Sequence, residues 1–69
     1  MVDKPLNFVG IIKDLIGNEV FVSRLRELGF VRGEQILIRG ISPFGGPVMV
    51  EIRGAVVALR RNEAECILV

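Results

Sequence analysis

The chain has 69 residues, of which 51% are hydrophobic and 25% charged, and its formal net charge is +1. This composition predicts one folded domain over residues 1–69 rather than a disordered chain, and the small net charge gives no support to a nucleic-acid binder. Histidine, tryptophan and tyrosine are absent. An enzyme is therefore disfavoured, because the commonest general base and the commonest neutral metal ligand are both missing.

Cysteine content and hydropathy indicate the compartment. The single cysteine, Cys66, excludes an intrachain disulfide framework and agrees with a reducing environment. The N-terminal residues lack the basic and apolar regions of a signal peptide, and no apolar run approaches the ~20 residues that span a bilayer. We therefore expect a cytoplasmic protein.

The first predicted element is a strand. Residues 8–16, "FVGIIKDLI", are rich in apolar and β-branched types, and Gly10 marks a close approach or a bulge within them. Gly17 and Asn18 then signal a turn, and Asn18 is suited to cap the N-terminus of a helix.

A helix is predicted within residues 19–30, "EVFVSRLRELGF". Phe21, Leu25 and Leu28 recur at helical spacing and predict an apolar stripe. We interpret this stripe as the lid of the core, with a groove for a partner as the alternative. Gly29 is expected to end the helix in the left-handed conformation, with Phe30 folding back onto the last turn.

The second half of the chain predicts strands joined by tight turns. Two strands with one buried face each are predicted by alternation, in which Ile36 and Ile38 alternate with Gln35, Leu37 and Arg39, and Val48, Val50 and Ile52 alternate with Met49, Glu51 and Arg53. Arg53 and Gly54 predict a tight reversal into a third strand. "RNEAE" then predicts a short helical turn, and "CILV" a closing strand.

These elements predict a mostly β fold. The predicted elements are five short strands, one helix after the first strand and a short helical turn before the last strand. A small SH3-like five-stranded barrel accommodates them, because closure buries the apolar face and removes unpaired edges. An open α+β sheet is the alternative.

The ordered pieces "RLRELGFVRGEQILIR", "SPFGGPVMVEIRG" and "VALRRNEAECILV", preceded by "VGIIKDLIG", resemble the ferrous iron transport protein A (FeoA) family over residues 9–69. The chain departs from the family pattern at three positions. Phe44 replaces the usual leucine of the loop, Gly46 replaces the usual aspartate, and Arg32 stands where proline is common. Any role that needs a carboxylate in the loop is therefore in doubt.

The resemblance implies an SH3-like barrel and a cytoplasmic accessory role in bacterial ferrous iron uptake. The implied partner is the membrane Fe²⁺ transporter with its GTPase region, modulated by protein–protein contact without a cofactor. Self-association into a weak homo-oligomer is left open. The alternatives are a small-barrel nucleic-acid-binding module and a detached SH3-like domain of an iron-dependent repressor.

The resemblance also associates the chain with transition metal ion binding, but the residues argue against a metal site. Cys66 is the only soft ligand, and Glu63 and Glu65 nearby would complete at best a poor oxygen-rich site. We expect Cys66 to be a small buried thiol.

Candidate partner-binding residues lie in the "ISPFGGPVMVEIRG" segment and among the arginines. Exposed aromatic and methionine side chains together are typical of interface cores. Phe44 is interpreted either as an anchor for a partner or as a plug over the end of the barrel. The arginines form either a docking face for an acidic partner or local ion pairs with Glu27, Glu51, Glu63 and Glu65. The full candidate set is Pro43, Phe44, Gly45, Met49, Arg39, Arg53, Arg60 and Arg24.

Overall fold

The computed structural model describes residues 1–69 and contains six strands and two helices. In chain order they are β1 (Val9–Ile11), β2 (Asp14–Leu15), α1 (Glu19–Glu27), β3 (Gln35–Ile41), β4 (Val48–Ile52), β5 (Ala55–Leu59), α2 (Arg61–Ala64) and β6 (Ile67–Leu68). The mostly β architecture with a helix in the first half and a helical turn before the last strand confirms the prediction. No helix is long and apolar enough to cross a membrane.

The strands form two antiparallel sheets. Four strands pair in the order β1-β3-β4-β5, and β2 pairs with β6. The fold is SH3-like, but the hydrogen-bonded ladders do not close into one continuous sheet. The two sheets and helix α1 instead enclose the core together.

The predicted single strand over residues 8–16 is wrong, because the chain changes its pairing partner in the middle of that segment. The Ile12 amide donates to the Glu34 carbonyl beside β3, at 2.9 Å, whereas the Lys13 amide donates to the Leu68 carbonyl of β6, at 2.7 Å. The segment therefore crosses from one sheet to the other between these two residues, which produces six strands instead of five. Gly10 lies at a close approach, as predicted, since a Cβ there would meet the Phe8 ring at 2.6 Å.

Helix α1 begins at the predicted cap. The Asn18 side chain accepts from the Val20 amide at 2.9 Å. At the other end, Gly29 has φ 101° and the Phe30 amide donates to the Leu25 carbonyl at 2.9 Å, which is the Schellman arrangement. Phe30 is fully buried as a result.

The predicted helix stripe needs one correction. Leu25 is fully buried, but Leu28 is 40% exposed and Val22 is buried in its place. Leu28 is the C-cap, where the chain leaves the helix, and Phe30 fills the core beyond it. The buried face of α1 is therefore Val22 and Leu25 with Phe21 partly buried, and it covers the core as expected.

The alternation in the second half is confirmed. Val48, Val50 and Ile52 of β4 are buried, and Val50 and Ile52 pair with the buried Ile38 and Ile36 of β3. Arg53 and Gly54 make the two-residue turn between β4 and β5, since Ile52 pairs with Ala55. The largest fully buried side chains are Phe30, Ile12, Leu25, Ile36, Ile38, Leu59, Ile67 and Val50.

Candidate functional site

The loop between β3 and β4, residues 42–47, is closed by two backbone hydrogen bonds. The Ser42 amide donates to the Pro47 carbonyl at 3.2 Å, and the Gly46 amide donates to the Pro43 carbonyl at 3.2 Å. We call residues 42–47 the Phe44 loop. Its two prolines fix their own φ angles, so the loop is a stiff hairpin end.

Phe44 and Gly45 occupy the two central positions of a tight turn. Their φ angles are 58° and 75°, the signs found in a type I′ turn, which favours Asn and Gly. A bulky aromatic residue in the left-handed region is an outlier, and such strain concentrates at functional positions. The backbone thus holds Phe44 at the tip of the turn at a conformational cost.

The Phe44 side chain is 104% exposed and is therefore as accessible as in an extended chain. It does not fold over the end of the barrel, so the structure contains no plug. Ile41, at the base of the same loop, is 43% exposed. This end of the domain consequently presents apolar side chains to solvent.

One hydrogen bond ties the Phe44 loop to the rest of the fold, and one close contact lies within the loop itself. The Arg61 Nη2 atom donates to the Ser42 carbonyl at 3.2 Å, which ties the loop to α2. Gly46 lies so close to Ser42 that an added Cβ would come within 2.8 Å of the Ser42 Cβ. The position of Phe44 is therefore set by packing and hydrogen bonds at the loop base.

Met49 and Arg39 lie on the outer side of the sheet. Met49 pairs with Gly40 across β3 and β4, and a Cβ on Gly40 would meet the Met49 Cγ at 3.3 Å. The register shifts between Ile38 and Gly40, which leaves Arg39 in a bulge. The Arg39 Nε lies 3.6 Å from the Glu51 carboxylate.

Arg53 lies at the opposite end of β4 from the Phe44 loop, in the turn to β5. Its Nη2 atom is 2.6 Å from the Glu34 carboxylate. This hydrogen bond, together with the guanidinium charge, holds the pKa of Glu34 below its ordinary value, and burial opposes the shift. The pKa of Arg53 is raised for the same reasons.

Arg24 and Arg60 differ in their surroundings. Arg24 on α1 forms an ion pair of 2.9 Å with Glu63 of α2, whose side chain is only 3% exposed. The Glu63 carboxylate also accepts from the Arg60 amide at 3.0 Å. The Arg60 side chain is exposed and takes part in none of the three ion pairs of the structure.

The eight candidate residues therefore do not form one cluster. Pro43, Phe44 and Gly45 are together at the loop tip, and Met49 and Arg39 lie on the outer sheet face. Arg53 is at the far end of β4, and Arg24 is held in its ion pair. Arg24, Arg39 and Arg53 are paired with carboxylates, as the local-pair interpretation expects, and Arg60 takes part in no ion pair; the docking face for an acidic partner stays a prediction.

The residues around Cys66 do not fit a metal ion. The Cys66 thiol is buried and donates weakly to the Asn62 carbonyl at 3.6 Å. Glu63 is committed to Arg24 and to the Arg60 amide. No three His, Cys, Asp or Glu side chains converge anywhere in the fold.

Sequence reasoning missed Arg61 and Ile41 as parts of this end of the domain. Arg61 binds a carbonyl that is distant in sequence, and no local pattern could indicate that contact. Ile41 lies on the same phase of the alternation as the exposed Gln35 and Arg39, so extending the pattern by two residues would have indicated its exposure. The two prolines and two glycines around Phe44 were the available signal for the loop itself.

The fold and the exposed loop define a small SH3-like domain. A model of the FeoA domain matches residues 4–69. The chain therefore belongs to the FeoA family, a family of ferrous iron transport accessory proteins that is not known as a family of enzymes. The match begins five residues earlier than the resemblance over residues 9–69 indicated.

Solved structures of the family agree. FeoA of Stenotrophomonas maltophilia is 32% identical to this chain, with TM-score 0.80 over 93% of this chain and 80% of that one. Its crystal structure contains zinc, and it is described as an SH3 domain protein and a candidate ferrous iron transport activating factor. FeoA of Chlorobium tepidum is 29% identical, with TM-score 0.84 over 96% of this chain and 63% of that one. A FeoA-like protein of Clostridium acetobutylicum is 27% identical, with TM-score 0.87 over 96% and 77% of the two chains. No curated protein sequence matches significantly.

Proposed function

We propose that this protein is a cytoplasmic accessory factor of ferrous iron uptake that binds the GTPase region of the membrane Fe²⁺ transporter and modulates it by contact. Membership of the FeoA family supports the association with ferrous iron transport. The description of the Stenotrophomonas maltophilia relative as a candidate activating factor supports a modulating role.

The observation that carries the proposal is the complete exposure of Phe44 on a stiff turn. Leaving an aromatic ring in water is unfavourable, and its burial in a pocket of a partner would recover that free energy. Aromatic side chains dominate binding energy at interfaces. Because the turn already fixes the backbone of Phe44, little conformational entropy is lost when it docks.

The remaining candidate residues are proposed to surround this anchor. Pro43 and Gly45 flank the ring, and Ile41 extends the apolar surface at the loop base. Arg60 is the cation available to an acidic group on the partner. Met49 would contribute at the outer sheet face. Arg24, Arg39 and Arg53 would act mainly through long-range attraction because their guanidinium groups are already paired.

Isothermal titration against the purified GTPase region tests the proposal. The matched variants are Phe44→Ala, which removes the anchor, and Val20→Ala, which removes an exposed apolar side chain from α1 instead. We expect Phe44→Ala to weaken binding by roughly 30-fold, as for an interface hot spot, and Val20→Ala to leave binding unchanged.

The proposal fails if the folded wild-type protein does not bind the GTPase region at tens of micromolar. If the wild type binds and both variants bind equally well, the contact with the transporter stands but Phe44 is not its anchor.

A further inference from the structure

Strand β5 is an edge strand whose outer side is unpaired. In the sheet order β1-β3-β4-β5, only β4 lies beside it. Ile52 and Ala55 close the two-residue hairpin, so the antiparallel alternation directs the backbone groups of Val56 and Ala58 away from β4. No backbone hydrogen bond outside the ladders involves either residue. We call these outward groups of Val56 and Ala58 the β5 edge.

The β5 edge lacks the devices that usually protect an edge strand. In natural proteins, charged residues, proline, β-bulges or a covering segment prevent an edge strand from pairing with another chain. Strand β5 reads "AVVAL", has no bulge against β4, and exposes Ala55, Val56 and Ala58 to solvent. The opposite edge strand, β1, has only three residues, and Val69 packs beside its Gly10. An exposed and uncharged edge of this kind is a template for another strand.

The charges at the ends of β5 indicate which strand it accepts. Arg60 follows the strand and has no carboxylate partner, whereas Arg53, which precedes it, is paired with Glu34. An antiparallel second copy centred on Val57 would place Arg60 of each copy next to Arg53 of the other, so that one Glu34 carboxylate would have to balance two guanidinium groups. A segment with an acidic residue at the end beside Arg60, and small or β-branched apolar residues along the strand, is complementary instead.

We propose that the β5 edge binds an extended, acidic-ended segment of the GTPase region by strand addition, an inference that rests on the proposed function. The geometry also connects this edge to the Phe44 loop. Leu59 pairs with Val48, directly after the loop, and Arg61 donates to the Ser42 carbonyl. One partner segment along β5 therefore ends beside the loop that presents Phe44.

Amide hydrogen exchange measured by NMR, with and without the GTPase region, tests the inference. We expect the Val56 and Ala58 amides to exchange rapidly in the free protein and at least about tenfold more slowly in the complex. The Val57 amide faces β4 in both states and serves as the internal control.

Each outcome of that experiment decides something. Binding without protection of Val56 and Ala58 overturns the edge proposal and leaves the contact with the transporter intact. Absence of binding overturns the proposed function and this inference with it. Protection that grows with the concentration of the protein alone overturns the acidic segment in favour of a second copy.

Substitution at Ala58 provides an independent measurement. Ala58→Pro removes an outward amide that makes no bond to β4, which edge strands tolerate, whereas Ala58→Ser keeps that amide. We expect Ala58→Pro to weaken binding about tenfold and Ala58→Ser to change it less than about twofold. A folded Ala58→Pro variant that binds like the wild type overturns the inference, and if this variant does not fold, hydrogen exchange on the wild type decides.

Discussion

Replacing Phe44 by asparagine should stabilise the protein. The ring is 104% exposed, so its removal exposes no apolar surface to water and leaves no cavity. The φ angle of 58° is unfavourable for a bulky side chain and readily adopted by asparagine. We expect Phe44→Asn to raise the free energy of unfolding by about 0.5–1 kcal/mol, which corresponds to roughly 2–8 °C in Tm for a domain of this size.

Urea and thermal unfolding followed by far-UV circular dichroism measure this effect, because the chain has no tryptophan or tyrosine for fluorescence. Two variants of the same turn serve as controls. Phe44→Ala keeps an L-residue at the strained position and should change stability by less than about 0.5 kcal/mol. Gly45→Ala introduces strain at φ 75° with no steric clash and should lose about 1 kcal/mol.

A loss of more than about 1 kcal/mol in both Phe44→Asn and Phe44→Ala would refute this reasoning, because only a ring that packs on the barrel could produce it. Unchanged stability in Phe44→Asn would show that the turn carries no strain. If Phe44→Asn is more stable but binds the GTPase region more weakly, the strained phenylalanine is kept in the turn because it contacts the GTPase region.

Three further predictions concern the core and the ion pairs. Leu25→Ala should lower the free energy of unfolding, measured in urea, by about 2–5 kcal/mol, and Leu28→Ala should lower it by less than about 1 kcal/mol. The reason is that Leu25 is fully buried and Leu28 is at the exposed C-cap. Equal losses in the two variants would contradict the assignment of the helix face. Arg24→Met should lower the free energy of unfolding by about 1–2 kcal/mol, because it leaves the buried Glu63 carboxylate without its cation. Arg26→Met breaks no ion pair and should leave the free energy of unfolding nearly unchanged. The NMR-measured pKa of Glu34 should lie below its ordinary value and return to it in Arg53→Asn, which keeps a residue suited to the turn. Because the folded-state pKa of Glu34 is depressed, the stabilising contribution of Glu34 is present above the unfolded-state pKa of about 4.3 and is lost as pH falls through the folded-state pKa. Identical acid unfolding profiles for the wild type and Arg53→Asn would contradict the pairing of Glu34 with Arg53.

Features encoded by neighbouring residues could be predicted from the sequence. The alternation of Val48, Val50 and Ile52 places a whole strand because the side-chain period of a strand is two. Gly29 ends α1 because only glycine adopts its φ of 101° without strain. These local rules predicted a mostly β fold, with an SH3-like barrel and an open α+β sheet as the two possible arrangements of its strands.

Features that depend on distant partners could not be predicted. The break between Ile12 and Lys13 arises because two different strands compete for one apolar segment, and the segment alone does not show where one partner replaces the other. Arg24 had Glu27 beside it on the helix but pairs with Glu63, far along the chain. The exposure of Phe44 likewise depends on the turn conformation, which a sequence with proline and glycine on both sides leaves open.

Ferrous iron uptake in cells of the source organism tests the central claim most directly. Uptake would be measured after deletion of the gene and its replacement by the wild type, Phe44→Ala or Val20→Ala at equal protein levels. Cells with Phe44→Ala should take up ferrous iron at the rate of the deletion strain, and cells with Val20→Ala should take it up at the rate of the wild type. Full uptake with Phe44→Ala would contradict the claim that this protein acts on the transporter through its exposed phenylalanine.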